Sequence, residues 1–327
     1  MLTNKENYMR VLRREVPESI PNAAYQLCYP SYLKKDRNPD GSGFDYFGVE
    51  YVTSERSGFA GGFIPKPGVF MIHDITTWRD IVKIPDLSGV DWEKMAADDL
   101  KQYDRSKGPI MSDSVTGFFQ ALINFMGFTE GLCACFEEPE EVKAMMETIC
   151  DYQVGVAKNI IKYYQPDALW LPDDVATARA PFVSKEMFEE LFYPSWKRYV
   201  EVFLNAGIPA QLHCCGECGI LIDDFIDCGF SAWDPAQPQN DLKGIKAKHG
   251  NKLAFVGGFD AKPIQVPGVT EEFVREYVRS FLNTYAPGGG LVWTAGMQMN
   301  GGDPEAAQRA KWVREEFEAV APNYYVK

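Results

Sequence analysis

A chain of 327 residues with a formal charge of −13, 46% hydrophobic and 13% aromatic, can bury a large core but is too acidic to offer the basic surface that nucleic acid or an anionic membrane requires. No uncharged apolar run approaches the about 20 residues of a membrane span, and the polar opening Met1-Leu2-Thr3-Asn4-Lys5-Glu6-Asn7 lacks a secretory pattern, so a cytoplasmic location is expected. Eight cysteines in such a chain argue for reduced thiols rather than a disulfide framework, with small molecules or another protein as the expected partners.

The first segment that reads as a strand is Pro21-Asn22-Ala23-Ala24-Tyr25. Residues 34–102 are different: stretches such as Gly41-Ser42-Gly43-Phe44 and Gly58-Phe59-Ala60-Gly61-Gly62-Phe63 show no sustained helical period. They predict an insertion of loops and short strands, either covering the mouth of a barrel or forming a surface hairpin without chemical role. From about residue 108 onward, short apolar runs alternate with helical patterns. The runs Pro109–Ser112, Asp167–Leu171, Pro209–Leu212, Phe230–Trp233, Leu253–Val256 and Gly290–Thr294 read as buried strands. Between them, the apolar residues at 142, 145, 146, 149 and 156 predict a helix from about Glu138 to Tyr164. Ser184 offers an N-cap to a helix carrying Phe188, Leu191, Phe192, Trp196 and Tyr199, closed by Gly207. Thr270 precedes Glu271-Glu272-Phe273, and Asp303-Pro304 pairs an N-cap with proline at the first helical position. This alternation indicates a parallel α/β sheet. About seven strands, with room for an eighth, favour a closed (β/α)8 barrel over a doubly wound open sheet, and no Gly-x-Gly-x-x-Gly follows the first strand. Without repeats or a clear linker, residues 1–327 are expected to form one domain.

In a parallel barrel, chemistry gathers at the C-terminal ends of strands. Those positions hold Asp113-Ser114, Asp173-Asp174, His213-Cys214-Cys215, Asp234-Pro235, Gly257-Gly258-Phe259-Asp260 and Gly296-Met297. For Asp113, Asp234 and Asp260, a cap or loop role and a part in that chemistry are equally open. Asp173 and Asp174 are sharper: adjacent carboxylates after so apolar a strand need a cation, a hydrogen-bonding network or a proton, which makes both catalytic candidates. His213 and Cys215, two apart on extended chain, share one face while Cys214 takes the other. An imidazole and a thiolate so placed can hold zinc; they can equally be a satisfied histidine beside packed cysteines. Cys215 and Cys218 also form a lone Cys-x-x-Cys, for which a redox role is the lesser reading. Cys133 and Cys135 read as buried and inert, and His73 and His249 as surface or turn residues.

The succession Asp173-Asp174, Ser184, Phe192-Tyr193-Pro194, Gln211-Leu212-His213-Cys214-Cys215-Gly216, Asp234, Gly257-Gly258-Phe259-Asp260 and Gly288-Gly289-Gly290 resembles the uroporphyrinogen decarboxylase superfamily. So does the opening Asn7-Tyr8-Met9-Arg10-Val11-Leu12-Arg13-Arg14-Glu15-Val16-Pro17. The resemblance covers nearly the whole chain and implies a (β/α)8 barrel. True decarboxylases of this superfamily carry an arginine-rich segment after the first strand and a histidine after the last; here those places read Tyr25-Gln26-Leu27-Cys28-Tyr29-Pro30-Ser31-Tyr32 and Gly296-Met297-Gln298, which disfavours a polyanionic porphyrinogen. The resemblance points instead to the cobalamin-dependent methyltransferases, whose zinc site joins His-x-Cys to a cysteine after the last strand. His213 and Cys215 match, but Met297 stands where the distal cysteine would be, so a complete site calls for Asp174, Glu217 or Cys218. The expected protein is thus a methyltransferase that moves a methyl group between a small methylated or methoxylated compound (an O-demethylation in the latter case) and a corrinoid-binding protein that carries the cobalamin. In it, zinc sits on His213 and Cys215, Asp173 or Asp174 completes or orients the metal sphere, and Tyr25, Phe118, Trp233 and Met297 wall the substrate. The alternatives are a decarboxylase of some less charged acid and a metal-free corrinoid-partner or ligand-binding module.

Overall fold

Strands buried on both faces need apolar residues throughout, and the runs from residue 110 onward meet that condition. The computed structural model of the protein describes residues 1–34, 36–53, 63–113, 116–295 and 304–326. Its strands in chain order are β1 (Gln26–Cys28), β2 (Gly43–Phe44), β3 (Glu50–Thr53), β4 (Phe63–Pro65), β5 (Ile110–Ser112), β6 (Ala168–Pro172), β7 (Ala210–His213), β8 (Phe230–Asp234), β9 (Ala254–Val256) and β10 (Leu291–Val292). Seven of them form one parallel sheet in the order β1-β5-β6-β7-β8-β9-β10. The Trp293 N–H donates to Pro21 O at 2.7 Å and the Ala23 N–H to Trp293 O at 2.9 Å, so the sheet curls back on its first segment. This is the expected (β/α)8-type barrel, with seven parallel strands among the described residues. The first strand lies later than Pro21–Tyr25 because the segment changes partner: residues 21–23 meet Trp293, and 26–28 pair with β5.

The helix Asn4–Leu12, closed at its start by a capping box between Thr3 and Glu6, brings Tyr8, Met9, Val11 and Leu12 together with Met111, Ala168, Ala232, Ala254, Val256 and Val292. The small alanines of β6, β8 and β9 leave room for it inside the ring. A second core lies between the sheet and the surrounding helices. Helix Pro139–Tyr163 buries the apolar stripe read from the sequence, and Ser184 and Thr270 cap as expected, accepting from the Met187 and Phe273 N–H groups. The helix foreseen after Ser184 is two, Lys185–Leu191 and Tyr193–Leu204. Pro194 is the reason, since it lacks the N–H needed to continue the first but suits the opening turn of the second. Asp303 lies outside the described residues, and the last helix runs Pro304–Val320.

The insertion forms a small antiparallel sheet, β2-β3-β4. It also contains a helix, Trp92–Asp99, capped by Asp91 accepting from the Lys94 N–H; eight residues are too few to show a helical period. The Thr116 N–H donates to Tyr46 Oη, the Met71 and Ile72 N–H groups donate to Phe125 O, and Asn124 Nδ2 donates to Tyr51 Oη. These bonds hold the insertion where the chain leaves the C-terminal end of β5, near the barrel mouth; Gly58 to Gly62 lie outside the described residues. All eight cysteines are free. Cys133 is exposed rather than buried, because two positions along a helix is more than half a turn from Cys135. His249 sits 3.4 Å from Asp223, its side chain mostly covered. Among the described residues, no single helix is long and apolar enough to cross a membrane.

Candidate metal centre

Alternation along the strands decides which side chains reach the barrel lumen. On β7, Leu212 points to the helix layer, while Gln211 and His213 point inward. The strand ends at His213 and the next residues turn. Cys214 is carried outward, where its Sγ lies 3.5 Å from that of Cys218, both fully buried; burial and that neighbour push the Cys214 thiol well up. Cys215 returns to the inner side, its Sγ 3.8 Å from His213 Nε2. From the end of β6, Asp174 Oδ1 accepts the Cys215 N–H at 2.6 Å. The result is a half-buried trio, Asp174, His213 and Cys215, whose nitrogen, sulfur and oxygen atoms all lie within 4.8 Å of one another.

Of the three donors proposed for the gap at Met297, only Asp174 joins this cluster. Glu217 curls back to accept the Gly219 N–H at 3.0 Å, and Cys218 faces Cys214. Met297 itself lies outside the described residues. The loop is held from both sides: the Gly216 N–H donates to Gln237 Oε1, Asn240 Nδ2 to Gly216 O, and the Glu217 N–H to Thr177 O. Gly216 has φ +105°, and a Cβ there would meet Thr177 O at 2.5 Å. Gly216→Ala is therefore expected to cost about 1–3 kcal/mol and to weaken metal binding by displacing Cys215. A melting curve with a parallel zinc titration checks both effects, and an unchanged pair would mean that the loop tolerates the strain.

Asp173 is placed elsewhere. Its carboxylate accepts the Phe119 and Gln120 N–H groups at 3.1 and 2.9 Å and Trp196 Nε1–H at 2.7 Å. It thus caps helix Phe118–Met126 from a neighbouring strand, and Gly117 leaves space for it where a Cβ would collide. Burial pushes this carboxyl up to about 6 despite those donors. Successive residues at a strand end face opposite sides, so Asp173 and Asp174 part company.

Tyr25 is brought to the lumen; Phe118 and Trp233 are not. Phe118 packs edge-on against Tyr199, and Trp233 packs against Phe225 and Phe255 while its Nε1–H donates to Cys214 O. Both fill the outer core, because the residues of β8 that face inward are Ala232 and Asp234. The lumen-facing ring on β6 is Trp170, half-buried and 4.8 Å from the His213 ring. Asp234, for which the sequence left a cap or loop role and a chemical one equally open, accepts at Oδ2 from Tyr25 Oη (2.8 Å), Trp170 Nε1 (3.2 Å) and Gln211 Nε2 (3.3 Å), with His213 Nδ1 3.6 Å away. Burial would lower the His213 pKa, but Asp234 and Cys215 outweigh it and raise it to about 10. Burial likewise opposes ionisation of Asp234, yet His213, Tyr25 and Trp170 hold that carboxyl below its usual range. Asp113, left open in the same way, is half-buried, and its desolvation pushes the carboxyl up to about 7, with Lys34 and His213 pulling the other way. The advance signal for Asp113 was its place at a strand end; Asp234 had that and its place in the family resemblance. A cavity of about 610 Å³ lies at the opposite end of the barrel, lined by Leu2, Lys5, Arg13, Asp167 and Ile208. The chemistry favours the trio over that mixed-charge cleft.

A family model for uroporphyrinogen decarboxylase (URO-D) matches residues 100–312. No curated protein matches the chain in sequence. Thirteen chains of solved structures match it in fold. One, a methyltransferase from Methanosarcina mazei, is 12% identical with a TM-score of 0.59, over 98% of this chain and 99% of that one; at such identity the likeness is one of fold.

Proposed function

The chain belongs to the uroporphyrinogen decarboxylase family, and on that premise we propose that it moves a methyl group between a small methylated or methoxylated compound and a corrinoid carried by a partner protein. The observation that carries this reading is the Asp174–His213–Cys215 cluster at the C-terminal end of the barrel. Tetrahedral zinc takes nitrogen and sulfur ligands at about 2.0 and 2.3 Å, which sets them roughly 3.5 Å apart; the 3.8 Å between His213 Nε2 and Cys215 Sγ fits that geometry closely. Three protein donors leave a fourth position for substrate, the pattern of catalytic rather than closed structural sites. Zinc held there would supply Lewis acidity to the heteroatom bearing the methyl group.

The chain's own residues do the rest. The Cys215 N–H anchors Asp174 through Oδ1, which holds that carboxylate beside the other two donors. Trp170 and Tyr25 offer aromatic surface beside His213. Arg37, the nearest arginine after the first strand, is stacked over Tyr51 at 3.6 Å and donates to Gly41 O, which leaves it unsuited to gathering carboxylates. A single barrel domain over residues 1–327, a cytoplasmic location and cobalamin supplied by the partner belong to the same proposal.

Purified protein reconstituted with zinc should hold about one ion per chain, with affinity falling as pH drops. The sign follows from the ligands: the imidazole and the thiol must each shed a proton to bind, so lower pH favours the metal-free form. With zinc, a methoxylated aromatic should methylate cob(I)alamin, read from the corrinoid absorbance. Failure to retain zinc would defeat the zinc reading and leave the metal-free binding module. A second reading rests on Asp113, which directly follows β5 at its C-terminal end: a half-buried carboxyl pushed up to about 7 can protonate the carbanion left when a small acid loses CO2, and CO2 release without methyl transfer would select it.

A further inference from the structure

We propose that Asp234 is a positioning residue that fixes which nitrogen of His213 meets a metal, an inference that rests on the zinc reading above. The imidazole stands between two groups. Nε2 faces Cys215 Sγ at 3.8 Å, and Nδ1 faces Asp234 Oδ2 at 3.6 Å. Nδ1 is buried and has no hydrogen-bond partner among the described residues. A neutral imidazole carries its proton on one nitrogen and its lone pair on the other. A carboxylate beside Nδ1 favours the proton there, which puts the lone pair on Nε2, on the side of Cys215 and Asp174.

Asp234 is itself held from several elements. Residues His213 and Asp234 are direct neighbours in the β7–β8 register. Tyr25 on the first strand segment, Trp170 on β6 and Gln211 on β7 all donate to the same oxygen, Oδ2. Gln211 has no freedom to reverse its amide, because Tyr8 Oη donates to its Oε1 at 2.9 Å from the helix inside the barrel. The Trp170 ring, tilted 45° against the imidazole, limits its rotation. The carboxylate is thus fixed by the barrel, and the imidazole is fixed by the carboxylate. The 3.6 Å gap is longer than a hydrogen bond, and a small turn of the ring closes it.

Nitrogen-15 spectra of His213 test this in the protein as it stands. In the metal-free chain the ring, made neutral above its raised pKa of about 10, should be the Nδ1–H tautomer, and with zinc added Nε2 should be the coordinated nitrogen. An Nε2–H tautomer, or coordination through Nδ1, overturns the proposal. Asp234→Asn should lower zinc affinity roughly 10–100-fold, measured by chelator competition, and alter the visible spectrum of the cobalt-substituted protein; Asp234→Glu should restore part of both. Tyr25→Phe, which removes a donor but keeps the carboxylate, serves as the control with the smaller effect. Equal affinity and an identical cobalt spectrum in Asp234→Asn would also overturn it. Absence of zinc binding in the wild-type chain would strike the functional reading alone, since the tautomer is read without metal.

Discussion

Replacing His213 and Cys215 together by alanine should abolish zinc binding and methyl transfer to cob(I)alamin while leaving the melting midpoint close to that of the wild type. Both side chains are half-buried at the end of β7, outside the apolar clusters that hold the barrel, so their loss opens no core cavity. Removing two of three donors leaves Asp174 alone, and one carboxylate does not retain zinc against water. Dialysis with metal analysis, the corrinoid assay and circular dichroism read the three consequences separately. A double variant that transfers methyl groups at the wild-type rate would rule out the zinc mechanism; one that fails to fold would show that the loop is part of the core.

Asp173→Ala should do the reverse. It strips a helix cap, about 1 kcal/mol, and leaves the buried Trp196 indole N–H without an acceptor, a further 1–3 kcal/mol or so. Together these amount to about 3 kcal/mol and, for a chain of this length, a fall in melting midpoint of roughly 4 °C. Asp174→Ala should melt almost as the wild type does and lose metal affinity instead. Urea unfolding and zinc titration on the two variants form a crossed test. If Asp173→Ala keeps its stability and loses zinc, the assignment of the adjacent carboxylates is inverted.

The sheet was legible because apolar runs become strands buried on both sides. That same property hid the direction of each side chain. In β8 the sequence Phe-Ser-Ala-Trp-Asp is buried at every position, and only the polar Asp234 tells which parity faces the lumen; it sends Trp233 outward. On β6 the same rule is silent, because Asp173 and Asp174 follow it with opposite parities. His213 and Cys215 could be paired from spacing alone, whereas the donors that converge on Asp234 come from β6, β7 and the segment before β1, and no local pattern links them. Cys215 and Cys218 looked like a pair in sequence, yet the turn at Gly216 delivers Cys218 to Cys214. Pro194 was visible but its effect was not foreseen, and the helix at Trp92 was too short for its period to be seen.

Closure of the ring through Pro21, Ala23 and Trp293 bears on how the chain is made. During synthesis the first strand segment emerges early, but the edge that it offers to Trp293 stays vacant until almost the whole polypeptide has appeared. Until then the growing sheet carries an unpaired border and an uncovered apolar lumen, the two features most prone to sticking to other chains. The helix Asn4–Leu12 cannot settle before its seat exists, because Tyr8 docks on Gln211 and its neighbours on β9 and β10. A nascent chain cut short before residue 290 is therefore expected to expose an open edge rather than to fold as a smaller barrel, and the last strand acts as the latch that closes the ring.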